Sequence, residues 1–193
     1  MVTGTGLDND SALCLYAGSD CRNSSDRGNV KMFNRSAEWY DALYSFKDYR
    51  LESDAIISIL KRLHPGAESI LDIACGTAEH DRYISSSYRV DGLDINPDFI
   101  DIASGKNPEG EYFCADMSNF SIPQKYDIIL CLFNSIAYLK TMINVRKAFW
   151  CFKDHLKKTV SLYLSHGLSR RSGIRTEKFI CLPEKQLKDA FAG

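Results

Sequence analysis

The apolar positions of the chain fall into runs of two kinds that alternate along its length. Leu51, Ala55, Ile56, Ile59, Leu60 and Leu63 recur at helical spacing and stop at Pro65-Gly66, which predicts a helix. Residues 70–74 form a short, largely apolar run of strand type, and residues 78–85 read as the helix that follows. Residues 88–93 are a second strand. Asn96-Pro97-Asp98 then supplies an N-cap, a proline at the first helical position and an acid in the first turn. The helix they open runs through Phe99, Ile100 and Ile102 to Gly105. Residues 111–115 are a third strand. Residues 126–133 are almost uninterruptedly apolar, as expected of a central strand covered on both faces. Residues 141–156 form a helix with Ala148, Phe149, Phe152 and Leu156 turned inward. Beyond it Val160, Leu162 and Leu164 alternate along a further strand, and residues 170–179 read as a turn and another strand.

Strand-helix alternation of this kind predicts an α/β fold, a mostly parallel sheet with helices on both faces and right-handed crossovers. Three segments follow from the change in character along the chain. Residues 1–32, rich in Gly, Ser, Asp and Asn, are a loose leader. Residues 33–158 are the folded domain, opening on an aromatic stretch (Phe33, Trp39, Tyr40, Tyr44) that reads as a short helix pair. Residues 159–193 are either shortened C-terminal strands or a substrate flap.

Composition narrows this picture. The 193 residues are 45% apolar and 25% charged, enough for one domain with its own core. A net charge of -1 gives no reason to expect nucleic acid as a partner. No apolar run approaches the roughly 20 residues needed to span a bilayer. The first ten residues lack the basic and apolar regions of a secretory signal. The seven cysteines form no C-x-x-C pair, which reads as reduced thiols in a cytoplasmic protein with no zinc site. Residues 151–193 hold nine Lys or Arg against four Asp or Glu, a solvated face or a surface that could greet a phosphorylated substrate.

The candidate chemistry gathers after the first strand. Ala74, Gly76 and Ala78 alternate through a small-residue turn that lets a ligand approach the backbone closely. A helix opening at Thr77 or its neighbours would offer free N–H donors. Asp94 closes the second strand, in the place where an acid bonds ribose hydroxyls. The spacing G-x-G-x-x-G of a dinucleotide site is absent.

Leu71-Asp72-Ile73-Ala74-Cys75-Gly76-Thr77-Ala78 resembles the first motif of class I S-adenosylmethionine-dependent methyltransferases. Asp91-Gly92-Leu93-Asp94-Ile95-Asn96 resembles the second, Cys114-Ala115-Asp116-Met117 the third, and Tyr126-Asp127-Ile128-Ile129 through Leu132 and Phe133 to Tyr138-Leu139 the fourth. With Ala37-Glu38-Trp39-Tyr40-Asp41 and Lys47-Asp48-Tyr49, the last motif is similar to the N,N-dimethyltransferases of nucleotide-linked (dTDP) amino sugars, which methylate a 3-amino group.

The resemblance implies a Rossmann-like fold, S-adenosyl-L-methionine as cofactor and a small-molecule acceptor, a nucleotide-linked amino sugar, with a homodimer left open. It implies cofactor contacts from Tyr40, Ala74, Cys75, Gly76, Thr77, Glu79, Asp94, Ile95, Asp116, Met117 and Leu132. Tyr40 and Tyr138 are its candidates for the catalytic site, Tyr40 on a lid. Each has a plainer alternative: a packed aromatic for Tyr40, a surface tyrosine for Tyr138, a solvated acid for Glu79 and a loop cap for Asp116. His80 is either a base or, more in keeping with its place, a supporting hydrogen bond or cofactor contact. After residue 156 the family's usual turn is absent and the chain is short of the final strands, so the sheet is expected to be shortened. The alternative function is a non-catalytic binding or regulatory remnant.

Overall fold

A computed structural model describes residues 48–165 and 179–183; the expected leader, the aromatic stretch with Tyr40 and Tyr44, and residues 184–193 lie outside the described residues. The first helix, α1 (Tyr49–Leu63), is capped by Asp48, whose carboxylate accepts from the Leu51 N–H at 2.9 Å. Its buried face is Glu52, Ser53, Ile56, Ile57 and Leu60, while Leu51 and Leu63 are about half exposed and Ala55 is exposed. The apolar spacing alone had turned Leu51, Ala55 and Leu63 inward. The face is rotated because Glu52 and Ser53 are buried to bond His80.

Strand β1 (Ser69–Ile73) leads into a turn, and α2 (Asp81–Ile84) is a single short helix. The sequence predicted a helix from residue 78, opened near Thr77. The structure delays it to Asp81 because Ala78 holds φ at 59°, in the left-handed region, where a right-handed helix cannot start. Strand β2 (Arg89–Asp94), helix α3 (Pro97–Lys106) and strand β3 (Tyr112–Cys114) follow as predicted, with the Asn96 side chain accepting from the Asp98 N–H at 3.0 Å. Strand β4 (Tyr126–Cys131) ends before Phe133, where Phe133 and Asn134 both take positive φ and turn the chain into a 3₁₀ segment, Ser135–Leu139. Helix α4 (Met142–His155) is capped by the Thr141 hydroxyl and buries Ala148, Phe149 and Phe152. Strand β5 (Leu156–Ser165) starts with no intervening turn, and β6 (Phe179–Pro183) closes the sheet.

The six strands lie in the order β3-β2-β1-β4-β5-β6, with β1 to β5 parallel and β6 antiparallel to β5. This is the expected mostly parallel α/β sheet. The segment after α4 takes the fifth position, beside β4, the strand alternative of the two left open from the sequence. Tyr126 pairs with Leu156 but Ile128 pairs with Ser161, so the strand absorbs in one irregularity the residues that no turn accommodates.

Two cores flank the sheet, as the strand period demands. Ile129 and Cys131 of β4 point to one, with Leu71, Ile73, Phe149 and Phe152. Ile128 and Leu130 point to the other, with Ile70, Val90, Ile56 and Leu60. Chain order reverses between β1 and β4. Their carboxyl ends therefore diverge into a crevice, the position at which open α/β sheets bind ligands.

Candidate cofactor site

The turn leaving β1 is built on alternating left-handed residues, Ala74 at φ 58°, Gly76 at 59° and Ala78 at 59°. Only Gly76 takes this conformation without steric penalty; an L-residue gives up about 1–2 kcal/mol for it. Asp94 holds the turn in place. Its Oδ2 accepts from the Gly76 N–H at 3.0 Å and its Oδ1 from the Asn96 N–H at 2.9 Å. The Cys75 N–H donates to the Leu93 carbonyl at 3.1 Å, tying the same turn to the end of β2. Burial raises the Asp94 carboxyl above the usual range, opposed by backbone donors at Asn96, Gly76 and Ile95. A carboxylate offers about four acceptor sites, so two N–H bonds leave Asp94 with capacity for ligand hydroxyls.

Gly92 is needed behind the turn. A Cβ there would lie 2.5 Å from the Tyr112 ring and 2.8 Å from the Cys75 sulfur. The close layer of Cys75, Gly92 and Tyr112 sets how deep the turn sits against β2 and β3.

The other predicted residues occupy the same carboxyl edge, in different states. Ala74, Cys75 and Gly76 are partly exposed, and Thr77 is buried. Glu79 forms an ion pair with Lys106 at 2.5 Å. Ile95, after β2, is 68% exposed, so an apolar face is open beside Asp94. Asp116 is exposed and caps its own loop, accepting from the Ser118 N–H at 2.7 Å and hydroxyl at 2.8 Å. Met117 is half-buried against the α4-side core. Leu132 is buried in the α1-side core, and its carbonyl accepts from the Ser135 N–H and hydroxyl. Tyr138, in the 3₁₀ segment, is 80% exposed. The fold thus brings the turn, Asp94, Ile95, the Asp116 loop and the Tyr138 segment to one edge of one sheet.

Sequence reasoning singled out His80 but not its partners, nor the second of two buried clusters under this edge. His80 Nε2 lies 3.1 Å from Glu52 Oε2, and the Ser53 hydroxyl donates to the His80 carbonyl at 3.3 Å. The His80 ring is also held between Tyr49 and Phe133, with centroids at 4.9 and 4.8 Å. Second, Asp72 and Asp81 are buried as neighbours whose carboxyls raise or hold one another's pKa, with the Tyr112 hydroxyl donating to Asp81 Oδ2 at 3.1 Å and Asn107 Nδ2 to the Tyr112 oxygen at 3.0 Å. An acid in the strand before the turn and another at the following helix start were the visible signal. Their separation in sequence hid the contact.

These residues fit S-adenosylmethionine. Small side chains line the turn, Asp94 retains acceptor capacity toward a ribose, and the buried Oδ1 atoms of Asp72 and Asp81 have no hydrogen-bond donor among the described residues. No group of His, Cys, Asp and Glu among the described residues has the arrangement of a metal site. No helix among them is long and apolar enough to cross a membrane.

Residues 70–159 match the family model described as a methyltransferase domain. The fold is the Rossmann-like fold of class I S-adenosylmethionine-dependent methyltransferases, to which this segment is similar. Among relatives, the chain is 33% identical over 123 residues to a dTDP-3-amino-3,6-dideoxy-alpha-D-glucopyranose N,N-dimethyltransferase of Streptomyces fradiae, covering 62% of this chain and 48% of the relative. It is 30% identical, over 62% of this chain and 49% of the relative, to a dTDP-4-amino-2,3,4,6-tetradeoxy-D-glucose N,N-dimethyltransferase of Saccharopolyspora spinosa. Among solved structures it resembles the amino pentose methyltransferase CalS10 of Micromonospora echinaspora, determined with S-adenosylmethionine bound. That similarity has a TM-score of 0.63 at 25% identity and covers 70% of this chain and 58% of the other. The chain spans about half the length of the two sequence relatives.

Proposed function

We propose that the chain is an S-adenosylmethionine-dependent methyltransferase whose acceptor is the amino nitrogen of a nucleotide-linked deoxy sugar. The observation that carries the cofactor reading is the Asp94 clasp on the Gly76 turn at the β1/β4 switch point. The acceptor class is supported by the relatives, two of which are named for dTDP-amino sugars.

When bound, the cofactor supplies a methyl group already activated as a sulfonium. For that group to be taken up, this chain would have to hold a neutral acceptor amine in line with it and leave its proton a path to solvent. The residues of this chain bind, orient and dry the site. Asp94 accepts from ribose hydroxyls, the turn 74–78 admits the aminoacyl end against bare backbone, and Ile95 and Met117 offer apolar contact to the base. Leu132 shapes the floor of the crevice. Tyr138, at the exit of β4, is assigned to the acceptor side, and the resemblance assigns Tyr40, outside the described residues, to the same role. Orientation of this kind can supply a large share of the acceleration, and exclusion of water prevents side reactions.

Calorimetric titration with S-adenosylmethionine and with NADH tests the cofactor. Heat with the first and none with the second is expected, and no heat with S-adenosylmethionine on folded protein would end the proposal. Transfer of labelled methyl to a panel of dTDP-3-amino and dTDP-4-amino sugars, with the hydroxyl sugars as controls, tests the acceptor.

A further inference from the structure

The chain leaves β4 through two consecutive residues in the left-handed region, Phe133 at φ 54° and Asn134 at φ 61°. Neither is glycine, so each carries the steric penalty of that region, and such a conformation persists only where the surroundings fix it. The bend moves the chain across the sheet. Phe133 packs against the α1-side core, whereas Ile136 and Leu139 pack in the α4-side core, so the chain passes from one face to the other between them. It does so at the carboxyl end of β4, beside the β1/β4 switch point, and carries the exposed Tyr138 with it.

Within the crossing the hydrogen bonds are local. The Ser135 N–H and hydroxyl donate to the Leu132 carbonyl at 3.1 and 2.8 Å, and the Ala137 N–H donates to the Asn134 carbonyl at 2.9 Å. The far end is anchored to α4, where the Asn144 amide donates to the Leu139 carbonyl at 3.4 Å. At the near end the contact with a distant segment is aromatic: the Phe133 and His80 rings lie with centroids 4.8 Å apart and planes tilted by 36°. His80 is itself clamped. Glu52 Oε2 lies 3.1 Å from its Nε2, Tyr49 meets the ring edge-on at 4.9 Å, and the Ser53 hydroxyl donates to its carbonyl. The residue is 8% exposed. A fixed ring therefore stands behind the first of the two left-handed residues.

Resting on the reading above, in which Tyr138 belongs to the acceptor side, we infer that His80 is a positioning residue for the acceptor. Its ring, clamped by Glu52 and Tyr49 of α1, backs Phe133 and so fixes the path of residues 133–139 along the crevice. It acts through Phe133 and exchanges no proton with the acceptor. An aromatic ring without nitrogen can therefore take its place, a change that would disable a general base.

Amide hydrogen exchange reads the path of the segment, and steady-state methyl transfer to a dTDP-amino sugar that the panel shows to be methylated reads its use. His80→Ala and Phe133→Ala should each raise exchange in residues 133–139 about tenfold, and the double variant no further, because residues acting through one contact are not additive. Phe133→Ala should also lower kcat/KM for the acceptor about tenfold, the effect of a misplaced substrate, with Kd of S-adenosylmethionine changed less than about twofold. His80→Phe keeps the ring, so exchange stays at the wild-type level and kcat within about threefold. If Glu52 without its imidazole unfolds that variant, E52L/H80F removes the acid together with the histidine and makes the same measurement. Unchanged exchange in residues 133–139 of Phe133→Ala would overturn the inference, as would equal weakening of cofactor and acceptor in that variant. A loss of kcat beyond about a hundredfold in H80F at wild-type exchange would mark a base and overturn it too. If no amino sugar of the panel is methylated, the acceptor reading falls, and exchange alone decides whether His80 fixes the segment.

Discussion

Asp94 joins two backbone donors from separate segments, and most of the geometry of the turn depends on that one carboxylate. Asp94→Ala leaves the Gly76 and Asn96 N–H groups without their acceptor. We expect a loss of about 1–3 kcal/mol of stability in thermal or urea denaturation, the usual range for buried groups deprived of a partner. S-adenosylmethionine affinity should fall at least about tenfold, since a lost hydrogen bond to a charged group is worth about 1.5–3 kcal/mol. Gly76→Ala tests the turn from the other side. Nothing lies within 4 Å of the added Cβ, so its effect comes from φ 59° alone, about 1–2 kcal/mol of destabilisation with little change in packing. The acidic pair gives a pH signature. Both folded pKa values are raised, so the native state binds more protons than the unfolded chain, and stability falls as pH rises above about 4, for Asp81 until about 6 and for Asp72 further. Asp72→Asn removes the larger part of that penalty. Its melting temperature should gain on wild type more at pH 8 than at pH 5. Equal gains at both would show that the pair does not titrate in this way. Asp94 was legible in the sequence because it ends a strand, whereas the Asp72–Asp81 contact was not, because it depends on where Ala78 lets the next helix begin.

At the scale of elements, the strands were readable from their apolar runs and the helices from their apolar period and, at Asn96, from a cap; the Thr141 cap emerged only in the structure. The face of α1 was not readable. An apolar period assumes that polar residues point outward, and Glu52 and Ser53 point inward because His80 offers them partners from a distant segment. This makes α1 a support for the cofactor turn, gripping residue 80 at both its ring and its carbonyl. Glu52→Ala should therefore lower stability by about 1–3 kcal/mol. It should also raise amide hydrogen exchange in residues 76–84 more than in β5. Uniform exchange across the two segments would argue against a local link. Tyr40 could not be placed on this framework, since the segment that carries it lies outside the described residues.

Among the described residues, the candidate site residues gather at the carboxyl edge of the sheet, while the α4–β5 junction lies at the opposite end of β4. There Lys157 bonds Asp127 at 3.0 Å and Ser69 at 3.1 Å, closing the amino edge of β1, β4 and β5. Between Tyr126 and Ile128 the partner strand advances from Leu156 to Ser161, after which pairing runs in step to Cys131 and Leu164. The junction thus works as an expansion joint. Residues gained or lost where the helix ends are taken up before Ser161, and the far edge, with its crevice, feels no shift. Insertion of Gly-Gly between His155 and Leu156 should change S-adenosylmethionine affinity by less than about threefold, under ~0.7 kcal/mol, even if it lowers the melting temperature. A chain built this way can vary the length of that connection independently of its ligand chemistry.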